Sequence, residues 1–370
     1  MRFLFFVTVI SVLLLLVGYT TWRGVQFLAI FGNYKYIFAA LAGILFLALL
    51  LNFLVGESLP LSLAQPLSFL GYSYFIFIVY LFFAFLLVDI VLLTNKMMHF
   101  IPHVPLFKAI AFGVIITGIV IAMGIGNYRF NHPKITQLKI EANKPKQQKS
   151  VKIVAVSDLH LGFSNGKRYA KKYVKLINEQ EPDLLLIVGD MVDRTVESLF
   201  QQSMQEDLKM IQSKDGVYAV LGNHEYFGEG VEQVRQFFEI SGIHLLKDEN
   251  VLIREDFYVI GRDDRINHNR ASLVDLMETL DRAKPVILLD HQPFNLEEAT
   301  NCQIDLQLSG HTHNGQFFPI NWVIKKMYEK GYGYLKKNNT HIYVTSGLGI
   351  WGPQYRIGTQ SELVVIEFGY

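Results

Sequence analysis

The sequence predicts an all-α bundle of about four transmembrane helices, followed by an α/β domain of two packed sheets with helices outside, a four-layer α-β-β-α arrangement. Three observations carry this. Of the 34 Lys and Arg and 33 Asp and Glu residues, only seven precede residue 127. The 51% hydrophobic content is concentrated in that same first third. Beyond it, short apolar strands alternate with amphipathic helices, and later strands follow one another more closely.

Four segments, roughly Phe3–Tyr19, Tyr36–Val55, Phe69–Leu92 and Phe107–Ile125, have the about 17–25 apolar residues that cross a hydrocarbon core of about 30 Å. Arg2 offers a minimal n-region for a signal peptide. No small-x-small cleavage site follows in "LLVGYTTWRGV", so the segment is read as a retained span. Asp89 is expected to reach the interface near Asn95 and Lys96 rather than a partner within the membrane. Arg23, Lys35, Lys96 and Lys108 fall on one side of such a bundle, and Arg2, Arg129, Lys134 and Lys139 on the other. The positive-inside rule therefore does not choose an orientation. The expected organisation is a transmembrane region at 1–126, a connecting segment with an edge strand at 127–150 and a catalytic domain at 151–370. The expected location is a cell membrane, multi-pass, with membrane lipids as partners. A net charge of +1 gives no reason to expect nucleic acid. The single cysteine, Cys302, allows no intrachain disulfide.

In the connecting segment "ITQLKIEA" alternates like an edge strand, and "NKPKQQKS" is a polar loop. "VKIVAVS", "DLLLIVG" and "GVYAVLG" are buried strands. Between and after them, "GKRYAKKYVKLINEQ", a stretch around Val196–Gln212 and "EGVEQVRQFFEISG" are helices. There follow "VLIRE", "FYVIG", a helix around Ser272–Arg282, then "PVILLD", "IDLQLSG", "HIYVTSG" and "ELVVIEF".

The polar residues cluster where the strands end. "SDLHLG" holds Asp158 and His160, and "GDMVDR" holds Asp190 and Asp193. "GNHEY" holds Asn223, His224 and Glu225, "VILLDHQP" holds Asp290 and His291, and "LQLSGHTHNG" holds His311 and His313. Sites of α/β sheets lie at the carboxyl ends of strands, so five such clusters converge on one rim. Carboxylate, amide and imidazole donors without thiolate suit two divalent ions such as Mn, Fe or Zn. A D-x-H pair offers both side chains to one ion, an H-x-H pair can feed two, and one carboxylate between them can bridge. Two ions about 3.5–4 Å apart clamp the attacking and leaving oxygens of a phosphoryl displacement. Any single cluster has a bland reading as a turn or cap; five in order do not.

The series "DLH", "GDMVD", "GNHE", "DHQP" and "GHTH" resembles the calcineurin-like metallophosphoesterases over Val151 to about Phe368. It is closer still to a membrane-associated subgroup of bacterial phosphodiesterases, in which the histidine motif continues "GHTHGGQ" and the chain closes with "GLG…P…R.G…E". Here the stretches read "GHTHNGQ" and "TSGLGIWGPQYRIGTQSELVVIEF". Asn314 departs from the subgroup's glycine. The resemblance implies that Asp158, His160 and His313 hold one metal, that Asn223, His291 and His311 hold the other, and that Asp190 bridges. It implies that His224 faces the substrate as proton donor or charge stabiliser, with Asp193 orienting it. His311 and His313 would then straddle the site, one for each metal, with Gly310 letting the backbone come close.

The implied activity is a membrane-anchored, dinuclear-metal-dependent phosphoesterase. Its expected substrate is a phosphodiester or pyrophosphate, and the membrane third points to a lipid-linked one. The alternatives are a membrane receptor or scaffold, or a transporter-linked regulatory protein, using the same fold. Asp290 is read as a strand-end residue. Arg356 is read as a phosphate ligand or a structural ion pair. Lys167, Lys171 and Lys175, with Arg168 and Lys172 beside them, form a basic helix face that is read as solvated before it is read as lipid-binding. Phe317–Lys337 mixes aromatics and lysines, either as core plus loop or as the lining of an acyl or headgroup pocket.

Overall fold

The computed structural model describes residues 2–144, 149–228 and 230–370. The centre of the expected polar loop, 145–148, and Glu229 at the start of the third expected helix lie outside the described residues. The chain forms two compact units, Met1–Ile125 with Gly352–Gln354, and Gly126–Trp351 with Tyr355–Tyr370.

The first unit is built on α1 (Arg2–Phe27), α2 (Lys35–Val55), α3 (Leu61–Met98) and most of α4 (Val104–Asn131). All four are long and apolar enough to cross a membrane. Small residues set the close approaches: a Cβ on Gly71 of α3 would lie 3.0 Å from the Leu49 backbone of α2. Phe27, Leu81, Phe85, Val88 and Ile119 make one internal cluster, and Leu13, Leu49, Tyr74 and Ile78 another. Asp89 corrects the sequence reading. It is ion-paired with Arg23 and accepts a hydrogen bond from the Tyr19 hydroxyl at 2.7 Å. Both partners are on α1, so the carboxylate is neutralised within the bundle instead of reaching Lys96.

The second unit contains two six-stranded mixed sheets. The first joins β1 (Lys134–Glu141), β2 (Ser150–Val156), β3 (Leu184–Val188), β4 (Val217–Val220), β5 (His244–Leu245) and β12 (Glu362–Gly369) in the order β1-β12-β2-β3-β4-β5. The second joins β6 (Glu249–Ile253), β7 (Phe257–Gly261), β8 (Val286–Leu289), β9 (Leu306–Ser309), β10 (Gly333–Lys337) and β11 (Thr340–Val344) in the order β10-β11-β9-β8-β7-β6. In each sheet the strands that carry the polar clusters run parallel to one another. β1 is the expected edge strand, parallel to β12.

Strand alternation sorts the apolar residues into layers. In β3, Leu184, Leu186 and Val188 enter the core between the sheets, where they share a cluster with Val259, Ile287, Leu289 and Leu308. Leu185 and Ile187 face the other way, into a cluster with Ala170, Val174, Leu199 and Phe237. Those residues come from α5 (Lys167–Asn178), α6 (Glu197–Gln201) and α8 (Val231–Ile240), with α7 (Met204–Leu208) beside them. Outside the second sheet, Val286 and Leu288 pack on Leu273 and Leu276 of α9 (Leu273–Met277) and Ala299 of α10 (Leu296–Asn301). This is the four-layer α-β-β-α arrangement.

Helix lengths depart from the periodicity in two places. The expected helix at 196–212 breaks into α6 and α7 at Ser203, which has φ 51°. There the Gln202 side chain accepts from the Lys167 N–H at 2.9 Å and donates to the Gly162 carbonyl, tying the break to the start of α5. The helix expected over Ser272–Arg282 stops at Met277 and continues as turns closed by Leu280 and Lys284 N–H groups.

The layering makes a stability prediction. Leu186 is fully buried between the sheets. Leu186→Ala is expected to cost about 2–5 kcal/mol, a large-to-small core loss, read as a lower midpoint in denaturant unfolding. A change below about 1 kcal/mol would show that the inter-sheet core can collapse around the cavity.

Candidate metal centre

β3, β8 and β9 are buried along their whole length; β3 and β8 are wholly apolar, and in β9 Gln307 donates to Ser309 within the strand, so the ionisable side chains gather beyond the strand ends. Asp158 and His160 follow β2, Asp190 and Asp193 follow β3, Asn223 and His224 follow β4, His291 follows β8, and His311 and His313 follow β9. The fold brings these nine residues from five loops into one cluster. His160 Nε2 lies 3.2 Å from His313 Nε2, and His313 Nε2 lies 3.5 Å from Asp158 Oδ1. On the other side, His311 Nδ1 is 2.8 Å from Asn223 Oδ1 and His291 Nε2 is 3.1 Å from Asp190 Oδ2. The same Asp190 oxygen is 3.8 Å from His160 Nε2, so Asp190 stands between the two halves.

Three sets of ligand-type side chains each place one donor atom within 4.8 Å of the others: Asp158, His160 and His313; His160, Asp190 and His224; and Asp190, His291 and His311. Donors held at about 2.0–2.2 Å on one divalent ion stand about 2.8–3.6 Å apart across octahedral and tetrahedral geometries. In the first set His160–His313 and His313–Asp158, at 3.2 and 3.5 Å, fall in that range and His160–Asp158, at 4.0 Å, is wider; in the third set His291–Asp190, at 3.1 Å, falls in it. The second set includes His224, but its Nδ1 is engaged elsewhere, at 2.8 Å from the Asp193 carbonyl oxygen and 3.1 Å from Asp193 Oδ1. Donation from Nδ1 leaves Nε2 as the ring nitrogen available for chemistry. The exposed rings of Phe227 and Trp351 lie 5.3 and 6.0 Å from the His224 ring.

Among the described residues, His160 Nδ1 and His313 Nδ1 are buried without a hydrogen-bond partner. Orphaned donors are costly in a core and call for a ligand or ion. Burial alone would raise the Asp190 carboxyl, but the charge and hydrogen bond of His291, with His160 and His224 beyond, hold it well below the usual carboxylate range. Burial raises the Asp158 carboxyl. Burial also pushes the His311 imidazole down to about 4 and the His313 imidazole well below its usual range, so both are neutral and able to donate a lone pair. His224 behaves oppositely. Burial disfavours its cation, but the Asp193 hydrogen bond and the Asp190 charge outweigh it and push it up to about 9.

Two residues outside the expected donor set hold the loops. Glu225 is fully buried and accepts from the backbone N–H groups of Asp190, Val192 and Gly222 at 3.2, 2.8 and 2.7 Å. It ties the β3 loop to the β4 loop. Arg356 is also fully buried and donates to the His313, Ser346 and Gly349 carbonyls, each at 2.7 Å. It is a carbonyl clamp under the His311–His313 loop, which corrects both readings of it as phosphate ligand or ion-pair partner. A Cβ at Gly310 would overlap Ser157 Oγ and the Asp158 carboxylate, as the close approach expected there requires. Asp290 points away from the cluster to Arg262 and Arg270, at 3.4 and 3.2 Å. In α5, Lys167 is drawn to Asp207 at 3.4 Å and Lys172 to the Asn131 carbonyl, leaving Arg168, Lys171 and Lys175 exposed.

The family model for the calcineurin-like phosphoesterases matches residues 151–315. An Aquifex aeolicus metallophosphoesterase is 30% identical over 241 residues, 63% of this chain and 90% of that one. The chain belongs to the calcineurin-like phosphoesterase family. A Helicobacter pylori metallophosphoesterase is 32% identical over 244 residues, 64% of each chain. A Danio rerio transmembrane protein with metallophosphoesterase domain is 32% identical over 276 residues, 70% of this chain and 62% of its own. The chain thus spans less than two thirds of the length of the last two relatives. The matched region of the family contains every strand-end cluster except the closing segment that carries Arg356.

Glu225→Ala removes the acceptor of three buried N–H groups, and each unsatisfied group costs about 1–3 kcal/mol. The expected result is a chain that is strongly destabilised and binds divalent metal more weakly, measured by thermal unfolding with and without Mn. Glu225→Gln keeps one carbonyl oxygen and should recover part of both. Full recovery with alanine would remove the clamp role.

Proposed function

We propose that this chain is a membrane-anchored, dinuclear-metal-dependent phosphoesterase that hydrolyses a phosphodiester or pyrophosphate bond of a lipid-linked substrate. In this reading residues 1–126 anchor it and 151–370 carry out catalysis. The observation that carries the proposal is the position of Asp190 between two donor sets, with an oriented His224 beside them. Asp158, His160 and His313 would hold one ion, Asn223, His291 and His311 the other, and Asp190 both. Mn, Fe and Zn all suit these donors.

When bound, the two ions would supply positive charge for the phosphoryl oxygens and lower the pKa of the attacking water. The remaining work falls to side chains. Hydrolysis forms a bond from water oxygen to phosphorus and breaks the bond to the leaving oxygen, which needs a proton. Asp193 fixes the His224 ring through Nδ1, so the proton on Nε2 of the cationic ring is the one available for transfer. The Asp193 hydrogen bond favours that cation. Phe227 and Trp351 offer apolar surface beside the same ring, which supports an amphiphilic leaving group. The four long apolar helices support a bilayer as the source of substrate.

The purified chain is expected to bind two divalent ions, counted by elemental analysis after Mn reconstitution; trace metal only would overturn the dinuclear reading. His224→Ala should keep both ions and lose about 10²–10⁴-fold in turnover, the size of a general acid or one preorganised donor. Asp190→Ala should lose metal and activity together. A nitrophenolate leaving group, which needs no proton, should partly rescue His224→Ala but not Asp190→Ala. An emptied metal site in His224→Ala would make that residue a ligand, and equal losses with good and poor leaving groups would end the proton-donor role.

A further inference from the structure

α11 (Ile320–Met327) begins five residues after Gly315, so it is the direct continuation of the His311–His313 loop. Its apolar side reaches beyond the face that its own domain covers. It faces its own domain with Asn321, Ile324 and, one residue past its end, Tyr328, at i, i+3 and i+7. The neighbouring ridge, about 100° round the helix, is Ile320, Val323 and Met327, with the same spacing and 46, 50 and 61% exposure. Trp322, about 100° farther round than Val323 and on the far side of Lys326, is 58% exposed and stacks edge-on with Phe318 at 4.9 Å between ring centres. No residue of this helix is buried. Lys325 and Lys326 close its last turn, both exposed. An exposed apolar ridge, with a tryptophan flanked by two lysines on the adjoining face, is the composition of a helix lying in a bilayer interface: aliphatic side chains enter the acyl boundary, the indole sits at headgroup level, and the ammonium groups meet lipid phosphate.

We propose that α11 is an interfacial helix whose Ile320–Val323–Met327 ridge and Trp322 insert into the lipid surface. The chain itself supplies the reason to choose lipid as the occupant. Every copy carries four helices of bilayer-crossing length, and only His132 and Pro133 separate the end of α4 from β1. The lysines add charge complementarity to anionic headgroups. One consequence rests on the phosphoesterase reading: because α11 is joined to the His311–His313 loop, a helix seated in the interface would hold the metal centre at headgroup phosphates. The lipid contact does not depend on that reading.

The test uses the full chain in nanodiscs of phosphatidylcholine and phosphatidylglycerol. Trp22→Phe and Trp351→Phe together leave Trp322 as the only tryptophan. Acyl chains brominated close to the headgroup quench an indole only on contact. Trp322 emission is expected to fall about twofold or more in brominated discs, as for an inserted interfacial helix. Lys325→Gln with Lys326→Gln should remove any dependence of the quenching on phosphatidylglycerol. Equal emission in brominated and plain discs would overturn the proposal, and equal emission with concentration-dependent self-association would give the ridge to a second copy. If the double tryptophan variant does not fold, the quenched emission lost between wild type and Trp322→Phe reports the same contact. Metal content and turnover of a soluble nitrophenyl phosphodiester, measured on the wild-type chain in the same discs, report the phosphoesterase reading independently.

Discussion

The candidate centre depends on backbone held in the left-handed region. Asp158, His160, Asp190, His311 and His313 have φ of 56, 44, 51, 70 and 50°. Each such residue costs about 1–3 kcal/mol and persists only when its surroundings over-determine it. Asp and His are among the few side chains that tolerate the conformation at all. The chemistry of the site and the geometry of its loops therefore ask for the same residue types. A left-handed residue just past a strand reverses the chain sharply, so two side chains separated by one residue can face a common point. Alternation along an extended strand would also put Asp158 and His160 on one side, but at a spacing of two strand residues, about 6.6 Å. The turn brings His160 Nε2 to 4.0 Å from Asp158 Oδ1.

What over-determines these loops is backbone hydrogen bonding from buried charged groups. Glu225 gathers three N–H groups from below, Arg356 gathers carbonyls, and the Asp158 carboxylate accepts from Ser157 Oγ at 2.6 Å and from the His311 N–H at 3.1 Å. A charge buried this way is compensated by several partial charges instead of one ion-pair partner. Burial lowers the Arg356 guanidinium to about 10, yet it stays cationic at neutral pH. The supporting shell is thereby fixed before any metal arrives, while the imidazole nitrogens it surrounds have unfilled lone-pair or donor positions. That combination of rigid support and unsatisfied donors suits ion binding better than a self-sufficient hydrogen-bond network would.

Much of this was legible in the sequence because of one constraint. A strand buried on both faces admits no unpaired charge, so "DLLLIVGD" or "LQLSGHTH" announces where the strand stops and the site starts. The layer order followed from the same runs, and the family motifs then sorted the donors. Glu225 and Arg356 were not legible as clamps. Their partners are main-chain N–H and C=O groups, which have no letter in the sequence. Asp89 was misread because its partner Arg23 lies one helix turn from Tyr19 on α1, 66 residues earlier in the chain, and only the packing of α1 on α3 brings them together. The break at Ser203 was hidden because Gln202 looks like any helix former until its amide is found holding two loops.

Adjacent residues Asp290 and His291 show how the strand period divides structure from chemistry. In β8, Val286 and Leu288 face the outer helices while Ile287 and Leu289 face the inter-sheet core. Carrying that alternation past the strand sends Asp290 outward and His291 inward. Outward, Asp290 meets Arg262 and Arg270, and Arg262 also meets Glu298 at 2.5 Å. Inward, His291 donates through Nδ1 to the Val188 carbonyl at 2.7 Å, which orients Nε2 toward Asp190. Reversing the two letters would put a carboxylate beside Asp190 and an imidazole among arginines. Both positions would then be like-charge conflicts in a buried setting, where such contacts are least screened. The order "DH" is thus imposed by the sheet as much as by the metal chemistry.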